Sequence, residues 1–396
     1  MELLIDPVMG AKITIIGVGG GGGNAVNNMI ESSLEGVSFL CANTDLQALD
    51  KSKAMQLQLG KQKTRGLGSG GNPEVGKAAA EESLDDIQKS LEGVDMVFIT
   101  AGMGGGTGTG AAPVIAKVAK EKDILTVGVV TKPFEFEGKK RMATALKGIE
   151  EFSKQVDSLV IIPNEKLKTT APKNAKVIEM FKKADEVLYA AVRGVTDLIT
   201  KPGLINADFA DLCSVMKNKG MALMGEGRAC GENRALEAAK LAITNPLLDD
   251  ISLCGCKALL VNVTADGNLG MDEFYEANQF IKDAASSSDG EEPEICMAMS
   301  VDENCGDEIH ITVVATGIEM KKNEPAPVTK VVAPNTGKPD SDSPTPQHTG
   351  KRDARTILKQ FSEKHPEEET ANYTRENDTF KIEEYDTPAF MRKQSS

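Results

Sequence analysis

The sequence predicts an α/β protein: an N-terminal doubly wound, mainly parallel sheet domain, a long central helix, a smaller C-terminal α/β domain and a disordered tail. Three observations predict it. Between residues 12 and about 165 short β-rich runs alternate with helical patterns; an apolar stripe at helical spacing occupies 176–200; and beyond 318 large apolar side chains become scarce while prolines and charges accumulate.

The first strands read as KITIIGV, VSFLCAN, DMVFITA, ILTVGVVT and SLVIIP, apolar on both faces as a sheet covered by helices on both sides requires. Val177, Phe181, Ala184, Leu188, Ala191, Val195 and Leu198 then fall at steps of four and three, which predicts one long helix with a buried face. Lys201-Pro202-Gly203 stops it, since proline cannot continue the ladder. After a loop through Asp208 come a helical stretch at 209–219, the helix ENRALEAAKLAIT, the strand KALLVNVTA, a helix at 271–286, and the strands ICMAMSV and IHITVVAT. The expected division is a flexible 1–11, a nucleotide-binding domain at 12–175, the central helix at 176–200, and a C-terminal domain at 201–318 opening with the loop 201–211. A disordered linker at 319–379 and a partner-binding peptide at 380–396 complete it. Residues 321–379 hold seven of the 17 prolines, so that stretch buries too little surface to offset its chain entropy. As a flexible coil it would span roughly 40 Å.

With 396 residues, 40% of them hydrophobic, the chain can build substantial cores. A formal net charge of -14, without a dense Lys/Arg stripe, disfavours nucleic acid as a partner. No apolar run reaches the roughly 18 residues of a membrane span, and MELLIDPVMGAK lacks the layout of a signal peptide, so a soluble cytoplasmic protein is expected. The seven cysteines form no CxxC pair and read as reduced thiols serving as small core residues. Of three histidines only His310 precedes the tail, in an alternating strand-like run, which leaves no basis for His-dependent nucleophilic or metal chemistry.

Chemistry concentrates in three glycine-rich loops. Gly17 to Asn24 follows a strand and precedes a helix, and its GxGxxG, with Asp45 after the next strand, would by itself suit a dinucleotide. A second loop, Ala101 to Gly110, again follows a strand and opens a helix, with Pro113 in its first turn. Two sets of helix-terminal amides, with the Thr107 and Thr109 hydroxyls, suit a triphosphate better than an NAD-type ligand. In the third run, Gly71, Gly76 and Lys77 fit GxxxxGK, but Ala78 stands where a Walker A motif places Ser or Thr, and no strand immediately precedes it. A flexible phosphate-side loop is the better reading of Gly66 to Ala78.

Six motifs in order carry a family resemblance: GVGGGGGNAV, NTD (Asn43–Asp45), GGGTGTG (Gly104–Gly110), TKPFEFEGKKR (Thr131–Arg141), NADFAD (Asn206–Asp211) and DTPAFMRKQ (Asp386–Gln394). Together they resemble the FtsZ family of the tubulin superfamily over about 12–318 and the tail. The resemblance implies a GTPase that polymerises head to tail, forms the contractile Z ring at mid-cell beneath the inner membrane, and hydrolyses GTP to GDP between subunits. It implies phosphate contacts from Gly20, Gly21, Gly22, Gly23 and Asn24 and from Gly106, Thr107 and Gly108, and ribose and neighbouring phosphate contacts from Glu137 and Arg141. Asp185 would pair with guanine, whose N1–H and exocyclic amine both donate, whereas adenine offers one amine. Asn206, Asp208 and Asp211 would be catalytic in the next subunit's pocket, with Asp208 also a natural N-cap for the helix after it. Mg2+ would accompany the nucleotide without dedicated protein ligands. The tail would bind adaptors such as FtsA or ZipA through Pro388, Phe390 and Met391, with Arg392 and Lys393 adding charge. Cys213, Cys254 and Cys256 depart from the usual pattern. The rival readings are an NAD-dependent oxidoreductase, disfavoured by the second loop and the missing His or Tyr acid–base centre, and a GTP-binding scaffold without turnover.

Overall fold

The computed structural model describes residues 10–318 apart from 173, 202, 206, 218, 246–252, 254 and 287–291. The expected linker, C-terminal peptide, most of the N-terminal segment and Asn206 lie outside the described residues. In chain order the first half runs β1 (Ile13–Val18), α1 (Gly19–Glu31), β2 (Val37–Asn43), α2 (Leu46–Leu49), β3 (Met55–Gln58), α3 (Pro73–Glu82), α4 (Leu84–Ser90), β4 (Met96–Gly102), α5 (Thr107–Glu121), β5 (Leu125–Lys132), α6 (Lys139–Ser153) and β6 (Ser158–Pro163). The short α7 (Asn164–Leu167) leads to α8 (Val177–Thr200). Then come β7 (Gly203–Ile205), α9 (Phe209–Met216), β8 (Gly220–Ala229), α10 (Arg234–Ile243), β9 (Ala258–Ala265), α11 (Met271–Ala285), β10 (Glu294–Val301) and β11 (Ile309–Thr316).

Strands β3-β2-β1-β4-β5-β6 pair in that order and all in parallel, the doubly wound arrangement that the apolar runs predict. The sheet continues as β8-β11-β9-β10-β7, eleven strands in all. Its two halves are joined where β6 meets β8 in parallel over three residue pairs, Ser158 with Gly220, Leu159 with Met221 and Val160 with Ala222. Within the second half β11 runs antiparallel to both β8 and β9, and the three-residue β7 closes that edge against β10.

Three strands differ from expectation. β3 is a four-residue, partly exposed edge whose MQLQ carries little apolar signal. β7 is too short to be seen between Pro202 and the loop. β8, GMALMGEGRA, breaks its apolar pattern with three glycines, and Gly227 is there because a Cβ would meet the Ala238 carbonyl oxygen of α10 at 2.0 Å. Helix α5 begins at Thr107, so Pro113 lies inside it rather than in its first turn.

Both faces of the first half are covered. Ile15, Phe98 and Val127 pack with α1 and α8, while Ile16 and Ile99 pack with α3, α5 and, through Phe152, α6. A third cluster places α10 and α11 on β8, β9 and β11. On α8, Ala184, Leu188, Ala191, Val195 and Leu198 are buried as the stripe predicts, but Val177 is 61% and Phe181 40% exposed. The first turns run past the core. Helix α8 also has a defined direction: Thr200 at its end lies where a Cβ on Gly36, just before β2, would come within 2.6 Å. Its C-terminus therefore sits at the amino ends of the parallel strands.

Leu188→Ala is expected to cost about 2–5 kcal/mol through cavity formation, whereas Val177→Ala stays within about 0.5 kcal/mol. Denaturant unfolding of the two variants checks this.

Candidate functional site

The site is assembled at the carboxyl ends of β1 and β4, where each strand turns directly into a glycine-opened helix. Two kinds of glycine meet there. Gly17 and Gly22 are demanded by packing, since a Cβ on Gly22 would lie 2.3 Å from the Thr100 carbonyl oxygen and one on Gly17 2.4 Å from that of Gly22. Gly108 is likewise pressed against the Gly102 oxygen, and a Cβ on Gly19, whose φ is +73°, would meet the Gly108 nitrogen at 2.9 Å. These contacts bring the N-termini of α1 and α5 side by side. Gly20 and Gly105, by contrast, are at least partly exposed and face nothing within 4 Å. An open, Cβ-free shelf between two helix N-termini, with unpaired N–H groups and the positive ends of two helix dipoles, is suited to a chain of phosphates. Among the sequence-predicted residues Gly20, Gly21 and Asn24 are exposed on it, while Gly22, Gly23, Gly106 and Gly108 form its buried floor.

The threonines expected to face phosphate also brace the scaffold. Thr109, 3% exposed, accepts a hydrogen bond from the Gly104 N–H at 2.9 Å. Thr107 Oγ1 lies 2.7 Å from Thr44 Oγ1 and 3.1 Å from Ser69 Oγ. Ser69 belongs to the third glycine run, which is docked on the NTD turn through Leu46 N–H to Gly66 and Gly68 N–H to Thr44. Gly70 and Gly71, at φ +59° and +73°, open toward empty space. Asn72 caps α3, and Gly76 lets α3 close on the second loop, a Cβ there coming within 2.4 Å of the Gly106 oxygen. Lys77 is thus inside a helix, and the run expected as a loop to Ala78 is helical from Pro73 on, because Asn72 and Pro73 start α3 there. Asp45 caps α2 by accepting from Gln47 and Ala48, a local role that leaves the dinucleotide reading without its acid.

On the opposite side of the second loop, Arg141 packs its backbone oxygen 2.7 Å from where a Gly104 Cβ would be. Its guanidinium pairs with Glu137 at 3.1 Å, and Glu137 also accepts from the Phe134 N–H at 2.9 Å. Asp185 lies half-buried on α8 with no hydrogen-bond partner among the described residues. Burial first, and then the neighbouring Glu186, push its carboxyl up from 3.8 to about 7. One turn earlier Phe181 meets the stacked pair Phe134 and Phe136 edge-on, with centroids 5.3 and 6.4 Å away. The helical stripe predicts a core position for Phe181, although its i, i+4 spacing from Asp185 marks the two as neighbours.

Asp208 and Asp211 occupy a different place. Asp211 N–H donates to Asp208 Oδ1 at 2.7 Å and Asp208 N–H to Asp211 Oδ2 at 3.1 Å, a reciprocal capping box at the start of α9. Both are exposed, each with a second carboxylate oxygen outside the box. Lys217, after α9, pairs at 2.9 Å with Asp123, which precedes β5, and Gly220 N–H donates to the Asp157 oxygen before β6. With Thr200 near Gly36, this puts Asp208 and Asp211 at the amino ends of the parallel strands. The two half-sites are a strand length apart or more, about 20 Å for six residues.

Burial, followed by Asp211 and Asp208, pushes Cys296 up to about 11, and burial raises Cys41, Cys213 and Cys305. Cys230 is exposed rather than a core residue, and Cys254 lies outside the described residues. His310 is a half-buried strand residue whose Nε2 lies 2.6 Å from Glu308.

Two family descriptions cover most of this architecture: the Tubulin/FtsZ family GTPase domain matches residues 12–172, and the FtsZ family C-terminal domain matches 220–319. The chain belongs to the FtsZ family. Among its relatives, the cell division protein FtsZ of Pseudomonas aeruginosa is 53% identical over 83% of this chain and 82% of its own length. That of Azotobacter vinelandii is 46% identical over 100% of this chain and 99% of its own. In structure the chain resembles the empty FtsZ dimer of M. jannaschii, with a TM-score of 0.73 at 43% identity over 78% of this chain and 88% of that one. CetZ2 from Haloferax volcanii, in a GTPγS-bound protofilament, shares the fold at a TM-score of 0.69 and 20% identity, over 78% of this chain and 94% of that one. Membership makes the chain a guanine-nucleotide-binding GTPase of the polymer-forming cell division family. No helix among the described residues is long and apolar enough to cross a membrane.

Gly22→Ala is expected to destabilise the fold by about 1–3 kcal/mol through overpacking against Thr100, and Gly20→Ala to leave the unfolding midpoint within error while weakening nucleotide binding. Unfolding curves beside nucleotide titrations separate these two roles.

Proposed function

We propose that this FtsZ-family chain assembles head to tail, and that Asp208 and Asp211 of one subunit complete the GTP site of the next. The observation that carries this is the placement of the two half-sites at opposite ends of the parallel sheet. A single chain cannot bring Asp208 to its own phosphate loops, whereas stacking copies along the strand direction brings the ends together. The carboxylate oxygens outside the capping box orient and polarise the attacking water, which suffices for a reaction that needs positioning more than covalent help. Asn206 joins them on the strength of the motif alone.

Within the nucleotide half-site, the exposed amides of Gly20 and Gly21 and the N-terminus of α5 take the phosphates, and Glu137 and Arg141 take the ribose side. Asp185 accepts from guanine, and Phe181 offers an exposed ring one turn away for the base to stack on. A Mg2+ would travel with the nucleotide, held by phosphate oxygens and water. Such an ion would neutralise developing phosphate charge. We further infer from the tail motif that Asp386–Gln394 binds membrane-tethering adaptors such as FtsA or ZipA, and that the protein works in the cytoplasm at the mid-cell division site beneath the inner membrane.

GTP turnover per subunit is expected to rise steeply above a threshold protein concentration and to be nearly absent below it. Asp211→Ala should bind GTP yet lose most turnover. Phosphate release measured across dilution, for each protein and their equimolar mixture, decides this; constant turnover down to high dilution would mean that one chain holds a complete site.

Binding should also follow the Asp185 charge. Guanine takes the ionised carboxylate, so affinity is full above about pH 7 and falls about tenfold per unit below it. In the free protein the sign reverses: a raised folded pKa contributes stability at pH below about 4 that is lost as pH rises toward 7. GDP titrations from pH 5.5 to 8 should show the dependence, and Asp185→Asn should flatten it.

A further inference from the structure

Helix α9 carries Asp208 and Asp211 at its start, and its other end is held by two side chains that the nucleotide half-site does not use. The last carbonyls of a helix have no partner within it. Here the Met216 oxygen accepts from Ser158 Oγ at 2.6 Å, and the Val215 oxygen accepts from Thr316 Oγ1 at 2.8 Å. Ser158 and Thr316 are both fully buried. Thr316 Oγ1 has a second acceptor, the Ala258 oxygen at 3.4 Å, and its single proton goes to the nearer one. A buried carbonyl deprived of its donor is costly, so the two bonds fix where the end of α9 lies.

The donors come from opposite sides of a seam. Ser158 opens β6, the last strand of the nucleotide-binding half, and Thr316 closes β11 in the other half. Between them in the sheet lies β8, paired with β6 at Ser158 and Gly220 and with β11 at Thr316 and Ala222. The end of α9 is therefore pinned once on each side of the junction. Nothing else in the helix supplies that direction. The capping box ties Asp208 and Asp211 to each other and not to the sheet. Leu212, Val215 and Met216 bury the inner face, but apolar burial is non-directional and leaves a small slide or swing cheap.

Length amplifies such a swing. The eight residues of α9 extend about 12 Å, so a tilt of roughly 10° about the pinned end moves the first turn by about 2 Å. A misplacement of about 1 Å can already cost on the order of a hundredfold in rate. We propose that Ser158 and Thr316 are positioning residues for GTP hydrolysis: by holding the last carbonyls of α9 across the seam, they set where Asp208 and Asp211 stand in the pocket of the next subunit. The inference rests on reading Asp208 and Asp211 as the catalytic pair of a shared site. It assigns the effect to hydroxyls and not to volume, since Thr316→Val keeps the branched shape and loses the O–H, whereas Thr316→Ser loses a methyl and keeps it.

The test places each variant as a minority subunit in sedimented polymer of Asp211→Ala, where only the minority's loops are active, and compares phosphate release per minority subunit with that of wild type used the same way. Ser158→Ala and Thr316→Val should turn over about tenfold more slowly, while each as dilute protein binds GTP within about twofold of wild type. Thr316→Ser should keep near wild-type turnover although its lost methyl lowers the unfolding midpoint. Wild-type turnover in Ser158→Ala and Thr316→Val, or turnover that follows the unfolding midpoint and not the hydroxyl across the three variants, overturns the proposal. If polymer of Asp211→Ala alone hydrolyses GTP as fast as wild type, the shared-site reading has failed, a result distinct from full turnover by the two hydroxyl variants beside an inactive Asp211→Ala.

Discussion

Everything at the nucleotide end depends on how closely two helices approach the strands that feed them. The Thr100 carbonyl occupies the space of a Gly22 side chain, and the Gly108 backbone occupies that of Gly19. Moving either helix out by the width of a methyl group would separate two sets of amides that are useful only together. The glycines therefore serve two ends, since some make the approach possible and others keep the resulting surface bare.

A second dependence follows from the direction of α8. The helix begins beside the aromatic group at the carboxyl end of the sheet and finishes beside Gly36 at the amino end, with the acidic loop immediately after it. At about 1.5 Å per residue, the fifteen residues from Asp185 to Thr200 cover some 22 Å. One element thus sets the distance between the residue assigned to the base and the residues assigned to hydrolysis, and a rigid helix keeps that distance the same in every copy.

Much of this was legible in the sequence because the relevant signals are local. Apolar runs of five or six residues revealed the parallel strands, and the strand-to-glycine-to-helix order placed the first two loops correctly at strand ends. The capping roles of Asp208 and Asn72 are likewise short-range, and Asp208 was anticipated. What stayed hidden depends on packing partners distant in sequence. β8 looks unlike a strand because three glycines interrupt it, one of them, Gly227, making room for α10. The first turn of α8 carries the same apolar spacing as the rest, but periodicity cannot tell where the core beneath a helix stops. The hydrogen bonds that tie Thr107 to Thr44 and Ser69, and Thr109 to Gly104, likewise have no signature in the motif itself.

The two margins of the eleven-stranded sheet are its shortest strands, four residues in β3 and three in β7. A long bare margin would invite strands from other copies to add sideways, as in aggregates. These stubs offer too few unpaired amides to recruit one. Lateral accretion is thereby discouraged in a molecule whose family makes polymers, so that growth is left to the two ends carrying the nucleotide and the acidic loop, and a fibre of fixed width is favoured over a spreading sheet.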